Sequence, residues 1–185
     1  MPMKTALVLI DIQNDYFPGG RMELQGSPEA AVRARGLLDF FRMSAWPTFH
    51  IQHVSISPEA TFFLPETEGV QIHASIAPLP GEAVIVKHFP NSFRETPLLQ
   101  RLQALSVDRL VLCGSMTHMY VDATMRAAAD LGFPVLLAGD ACATRSLVYS
   151  KIVIPADHVH AAFLAALMSY GQVLTSDEVV LQLQR

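Results

Sequence analysis

Short apolar runs alternate with helical patterns along this chain, and that alternation restricts the fold more than any other feature. Thr5–Ile10 (TALVLI) is almost wholly apolar, as expected of a strand covered on both faces. Pro47–His53, Ala83–Lys87, Leu110–Cys113 and Pro134–Ala138 read as further strands, with Val173–Leu174 a short last one. Ser27-Pro28-Glu29 opens a helix to about Met43, with Ser27 as cap and Val32, Leu37, Leu38 and Phe41 as core positions. Helices also follow Thr96-Pro97 to about Leu105, Met119 to about Leu131, and Pro155-Ala156 to about Ser169. Ser176 is expected to cap a terminal helix. The pattern predicts an α/β chain: a three-layer α/β/α sandwich around a mainly parallel, Rossmann-like sheet. Ligands of such open sheets lie at the carboxyl ends of the strands.

At 185 residues the chain predicts a single domain spanning 1–185. With 51% hydrophobic and 16% charged residues it has enough apolar surface for a large core. A net charge of −4 without a basic run argues against nucleic acid or an anionic membrane as partner. No apolar stretch reaches spanning length, since the first stops at Asp11. Met1-Pro2-Met3-Lys4 leads straight into a strand, so no signal peptide is expected. Two cysteines are too few for a disulfide framework, and a reduced, cytoplasmic setting is the expectation.

Three segments carry candidate chemistry. Asp11 closes an apolar strand, where a carboxylate is costly to bury without partners; read alone, it serves equally well as a strand-end cap. Lys87 closes another strand, and an ammonium near Asp11 would favour its ionised form; a solvated strand-end lysine is the plainer reading. The loop Gly114–Met119 joins a strand to a helix whose first amides suit a carboxylate or a developing oxyanion. Cys113, inside an apolar run, and Cys142, after the fifth strand, read as packing thiols. His50 and His53 stand three apart on a strand and face opposite sides, so a shared metal ion is not expected. The long segment Ser55–Gly81, with Phe62, Phe63 and Leu64, reads as a loop facing substrate or another subunit.

Together, Asp11 in Val8–Phe17 (VLIDIQNDYF), Lys87 in Val84–His88 and Thr117–Asp122 ahead of Ala127-Ala128 resemble the isochorismatase-like cysteine hydrolases, a superfamily that includes nicotinamidases, other small-amide hydrolases and isochorismatases. The resemblance extends over nearly the whole chain, including Asp140–Thr144 and Thr175–Glu178. It implies a cofactor-free hydrolase with an Asp–Lys–Cys triad, a cis peptide at Ser115–Met116 and an oxyanion hole from the backbone amides of Met116 and position 120. It further implies a pocket wall including Gln13, Phe17, Phe93 and His118, a small-molecule substrate, and assembly as a homodimer or homotetramer. The Asp-x-His metal site of nicotinamidases is not reproduced by Gln52-His53-Val54-Ser55.

The chain departs from that pattern at Tyr120, where the resemblance calls for the nucleophilic cysteine. A phenol has a reference pKa of about 10, against about 8.5 for a thiol, and its oxygen sits further from the backbone. Lys87 and the helix end are expected to lower it. Three readings stay open. Tyr120 fills the pocket of a silent member that binds small molecules or serves as a scaffold. Catalysis proceeds without a covalent intermediate, as in the family's isochorismatases, where the aspartate acts as an acid in vinyl-ether cleavage. Or Tyr120 is itself the nucleophile, or an inactivating replacement.

Overall fold

A computed structural model describes residues 3–185. Six strands form one sheet in the order β3-β2-β1-β4-β5-β8, with every neighbouring pair parallel. They are β1 (Thr5–Ile10), β2 (Thr48–His53), β3 (Ala83–Lys87), β4 (Arg109–Ser115), β5 (Val135–Ala143) and β8 (Gln172–Leu174). The helices are α1 (Ser27–Met43), α2 (Leu98–Ala104), α3 (Asp122–Asp130), α4 (Ala156–Leu167) and α5 (Ser176–Leu183). α1 packs with α5 over one face of the sheet, and α3 with α4 over the other. Both faces of β1 are thereby covered, and all six of its residues are buried. This is the α/β/α sandwich that the alternation of apolar runs predicts. No described helix is long and apolar enough to cross a membrane.

Strand order reverses between β1 and β4, the place in an open sheet where ligands bind, and Asp11 and Met116 directly follow the carboxyl ends of these two strands. Gly114 makes the close approach possible. It pairs with Ile10 at a φ of +125°, and a Cβ would collide with the Ile10 carbonyl oxygen. Beyond β4 the chain makes one π-helical turn, Thr117–Val121, before α3 begins.

Several local expectations need correction. Ser27 lies inside α1, its hydroxyl donating to the Leu24 carbonyl, and the capping position belongs to Gly26 in the left-handed region. Val32, expected in the core, is 70% exposed. The cap of α5 is Thr175, which forms a reciprocal capping box with Glu178. β5 runs five residues past Ala138 because, after a register shift, Cys142 and Ala143 pair with Gly114 and Ser115. Phe63 is wholly buried within its own chain, against Tyr16 and Phe62, so its ring is part of the core rather than of a surface. A hairpin of β6 (Leu147–Tyr149) and β7 (Ile152–Ile154), separate from the main sheet, lies where no strand is expected from the apolar runs.

Candidate active site

Asp11 sits one residue beyond β1 and adopts a φ of 50°, with its amide bonded to the Ile51 carbonyl. A non-glycine residue held in this region is a local strain that the surrounding strands impose. Lys87 ends β3, two strands away, and reaches under β2 to place Nζ 2.6 Å from Asp11 Oδ2. The same ammonium lies 3.2 Å from His53 Nδ1 and 4.1 Å from the centre of the Tyr120 ring. Its charge therefore meets a carboxylate, an imidazole nitrogen and a π face. Asp11 is 0% exposed, Lys87 1% and Tyr120 3%, so the centre is closed to solvent by its own side chains.

Asp11 Oδ1 is buried and has no hydrogen-bond partner among the described residues. Burial raises the Asp11 carboxyl to about 6, although the Lys87 charge and contact oppose the shift. Burial likewise lowers Lys87 against the pull of Asp11. His53, lowered to about 3 by burial and by the Lys87 and His88 charges, is neutral, so Nδ1 accepts from the ammonium. Tyr120 is pushed up to about 12, chiefly by burial and then by the Asp11 charge; Tyr16 and Arg145 pull the other way. The expectation that Lys87 and the helix end lower this phenol is corrected: the low-polarity surroundings win.

The structure thus brings Asp11, Lys87 and Tyr120 into one cluster. Met116 precedes the π turn and Tyr120 lies within it, and the Met116 carbonyl accepts from the Met119 and Val121 amides. The Ser115–Met116 peptide is cis. The four residues expected in the pocket wall have other contacts. Gln13 gives its whole amide to backbone: Oε1 accepts from His53 N, and Nε2 donates to the His53 and Val70 carbonyls. Phe17 stacks on His73 at 3.6 Å between ring centres. Phe93 stacks on Phe133, beyond the far end of α3. His118 bonds Thr144 and abuts the edge of Phe163.

Sequence reasoning missed two members of the cluster, His53 and Tyr16, and placed Phe63 only as one of several loop rings facing substrate or another subunit. His53 was weighed only as a metal ligand, yet it pairs in register with Lys87 at the same sheet edge, and that register was the available signal. Its ring lies 5.0 Å from that of Tyr120. Tyr16 and Phe63 complete the wall, with ring centres 4.6 Å apart. Nothing in the sequence distinguished them from ordinary loop aromatics. Asp15 secures this wall: its carboxylate accepts from the amides of Phe63 and Arg21.

With this geometry in place, comparison with known proteins is direct. The isochorismatase domain model matches residues 5–178. The isochorismatase family protein YddQ of Bacillus subtilis is 50% identical over 176 residues, which cover 95% of this chain and 98% of YddQ. A solved structure from Oleispira antarctica, assigned as an isochorismatase hydrolase, superposes with a TM-score of 0.93 at 45% identity and covers 97% of each chain. Streptothricin hydrolase of Streptomyces noursei is 36% identical over 142 residues, covering 75% of this chain and 49% of that protein. The chain belongs to the isochorismatase family, whose members are hydrolases.

Proposed function

We propose that this chain hydrolyses a small amide, or a related small carbonyl compound, without a covalent enzyme intermediate. Asp11 is the proton-transfer group. The observation that carries this reading is the bare, buried Oδ1 of Asp11 on a carboxyl raised to about 6, near the pH at which a general base works best. Asp11 takes a proton from water as the water oxygen bonds to the substrate carbonyl carbon. The Met116 and Tyr120 amides receive the oxyanion. Asp11 then returns the proton to the nitrogen as the C–N bond breaks. Lys87 stays protonated and positions Asp11. Tyr120, whose phenol is pushed up to about 12, acts as a neutral wall and donor rather than a nucleophile. Substrate enters by displacing the Tyr120 ring, since the cluster is otherwise closed.

One observation favours a second reading. Tyr120 is 3% exposed and packs against Lys87 and His53, as a plug would in a silent family member that binds but does not turn over. A panel of small amides, assayed with the parent, Asp11→Asn and Tyr120→Cys, separates the two. The thiol-free reading expects parent activity that falls by roughly 10²–10⁴-fold in Asp11→Asn, the range of acid–base contributions. Hydrolysis that emerges only in Tyr120→Cys supports the plug and overturns the thiol-free mechanism.

A further inference from the structure

A cavity of about 920 Å³ lies at the amino end of the sheet, on the opposite side of the fold from Asp11. That is within the size range of small-molecule sites. The six residues of β1 set it roughly 20 Å from the Asp11 cluster. The end of α1, the start of β2, the turn before β3 and α2 meet around it, with Lys4 just ahead of β1.

Its wall is apolar and already formed. Trp46, Pro47, Phe49, Leu79, Pro80 and Leu105 supply the lining. Trp46 is the sole tryptophan of the chain. Phe40 and Phe41 meet its indole nearly at right angles, with ring centres 5.8 and 5.5 Å away, so the ring has a fixed seat. The lip from Leu79 to Glu82 is tied at both ends. The Glu82 amide donates to the Leu79 carbonyl at 3.0 Å, and the Leu79 amide donates to the Glu82 carboxylate at 2.8 Å. A wall held this way costs a ligand little in ordering.

The charge at the cavity is opposite in sign to that of the chain. Lys4, Arg42 and Arg101 line it against one carboxylate, Glu82, whereas the whole chain carries −4. Arg42 and Glu82 satisfy each other through a two-bond fork. Burial lowers His50, which contacts Glu82, so this imidazole adds no charge at neutral pH. Lys4 and Arg101 are left over. Asp108 accepts from the Lys4 backbone amide at 2.9 Å, but neither the Lys4 nor the Arg101 side chain makes an ion pair among the described residues.

We infer that this cavity is a second small-molecule site, and that its ligand is a planar aromatic carboxylate. The ring lies against Trp46 and the apolar wall, and the carboxylate meets Lys4 and Arg101. A neutral apolar occupant takes water from two cations and returns no partner, whereas a small inorganic anion leaves the apolar wall wet. The site is separate from the Asp11 cluster, so the inference stands or falls independently of turnover.

The test uses the nitrogen-15-labelled full chain, whose sole tryptophan gives one indole N–H resonance from inside the cavity. 2-Naphthoate is expected to shift that resonance saturably, with a Kd of about 1 mM or tighter for a ligand of this size. The neutral 2-naphthalenemethanol and the ringless acetate are each expected to bind about tenfold more weakly. Lys4→Ala/Arg101→Ala is expected to weaken 2-naphthoate by about the same factor and to leave 2-naphthalenemethanol unchanged. Asp11→Asn is expected to alter neither. No saturable shift overturns the inference, as does equal affinity for the alcohol or for acetate. An unaltered affinity in the folded double variant overturns it too, and a shift lost in Asp11→Asn would place the binding at the other end of the sheet. Should the double variant fail to fold, salt decides on the parent. Raising sodium chloride from about 0.05 to about 0.5 M is expected to weaken 2-naphthoate alone, and an indifferent 2-naphthoate contradicts the assignment.

Discussion

The two ends of this fold each bury a histidine of β2 beside an ion pair, yet only one end looks reactive. At the amino end, Glu82 is saturated. It accepts two hydrogen bonds from Arg42 at 2.7 and 2.8 Å, one from the Leu79 amide, and contacts His50 at 3.0 Å. Its carboxyl is held down at about 2, chiefly by Arg42. At the carboxyl end, Asp11 meets one ammonium, keeps one oxygen bare and is raised to about 6. Both are paired carboxylates. The difference lies in how many donors surround them and how much water they have lost. A fully satisfied pair braces the structure, whereas a partly satisfied one keeps capacity for an incoming group.

The largest effect expected from this contrast is on stability at the carboxyl end. Lys87→Met leaves Asp11 buried without a counter-charge and is expected to lower unfolding free energy by about 3 kcal/mol in urea titration at neutral pH. Adding Asp11→Asn to that variant removes the stranded charge and is expected to restore most of the loss. No restoration would mean that the pair is a brace like Glu82. Next in size, Glu82→Gln breaks a charge-assisted fork and is expected to cost about 2 kcal/mol while leaving any amide turnover unchanged. Loss of turnover with stability intact would move the reactive role to the wrong end.

The pH dependence of stability runs in opposite directions at the two sites. Asp11 is raised from 3.8 to about 6, so its favourable contribution is complete below pH 3.8 and is lost as pH rises through 6. Glu82 is lowered from 4.5 to about 2, so its contribution is complete above pH 4.5 and is lost as pH falls towards 2. Chemical denaturation across pH 2–8 is expected to lose its slope between about 4 and 6 in Asp11→Asn, and below about 4.5 in Glu82→Gln. The smallest effect is a control remote from both. Thr175→Ala removes the α5 cap and is expected to cost about 1 kcal/mol without altering either pH profile.

The same contrast explains what the sequence made legible. Thr5–Ile10 was readable because burial on both faces demands uninterrupted apolar residues, and Ala83–Lys87, an edge strand with Val84 and Val86 exposed, because its run is apolar all the same; their ends led to Asp11 and Lys87 directly. The resemblance added the order of the motifs and the turn before Tyr120. The saturation of a carboxylate was not legible. Arg42, Glu82 and His50 come from separate elements, and no local pattern announces their contact. The wall around Tyr120 was hidden for a related reason. Phe17, Phe93 and His118 are aromatic groups after strand ends, as are Tyr16 and Phe63, and His53 ends a strand itself. Which of them face Asp11 depends on loop paths fixed by long-range bonds such as those of Gln13 and Asp15. Local periodicity also failed for the β6–β7 hairpin, whose three-residue strands are too short to show alternation.

The most direct measurement is the titration of the Asp11 carboxyl by carbon-13 NMR, with the resonance assigned through Asp11→Asn. A midpoint near 6, well above that of Glu82, is the predicted result. A midpoint below 4, in the range of an ordinary or salt-bridged aspartate, would contradict the account, because Asp11 would then be as fully satisfied as its counterpart at the other end of the sheet.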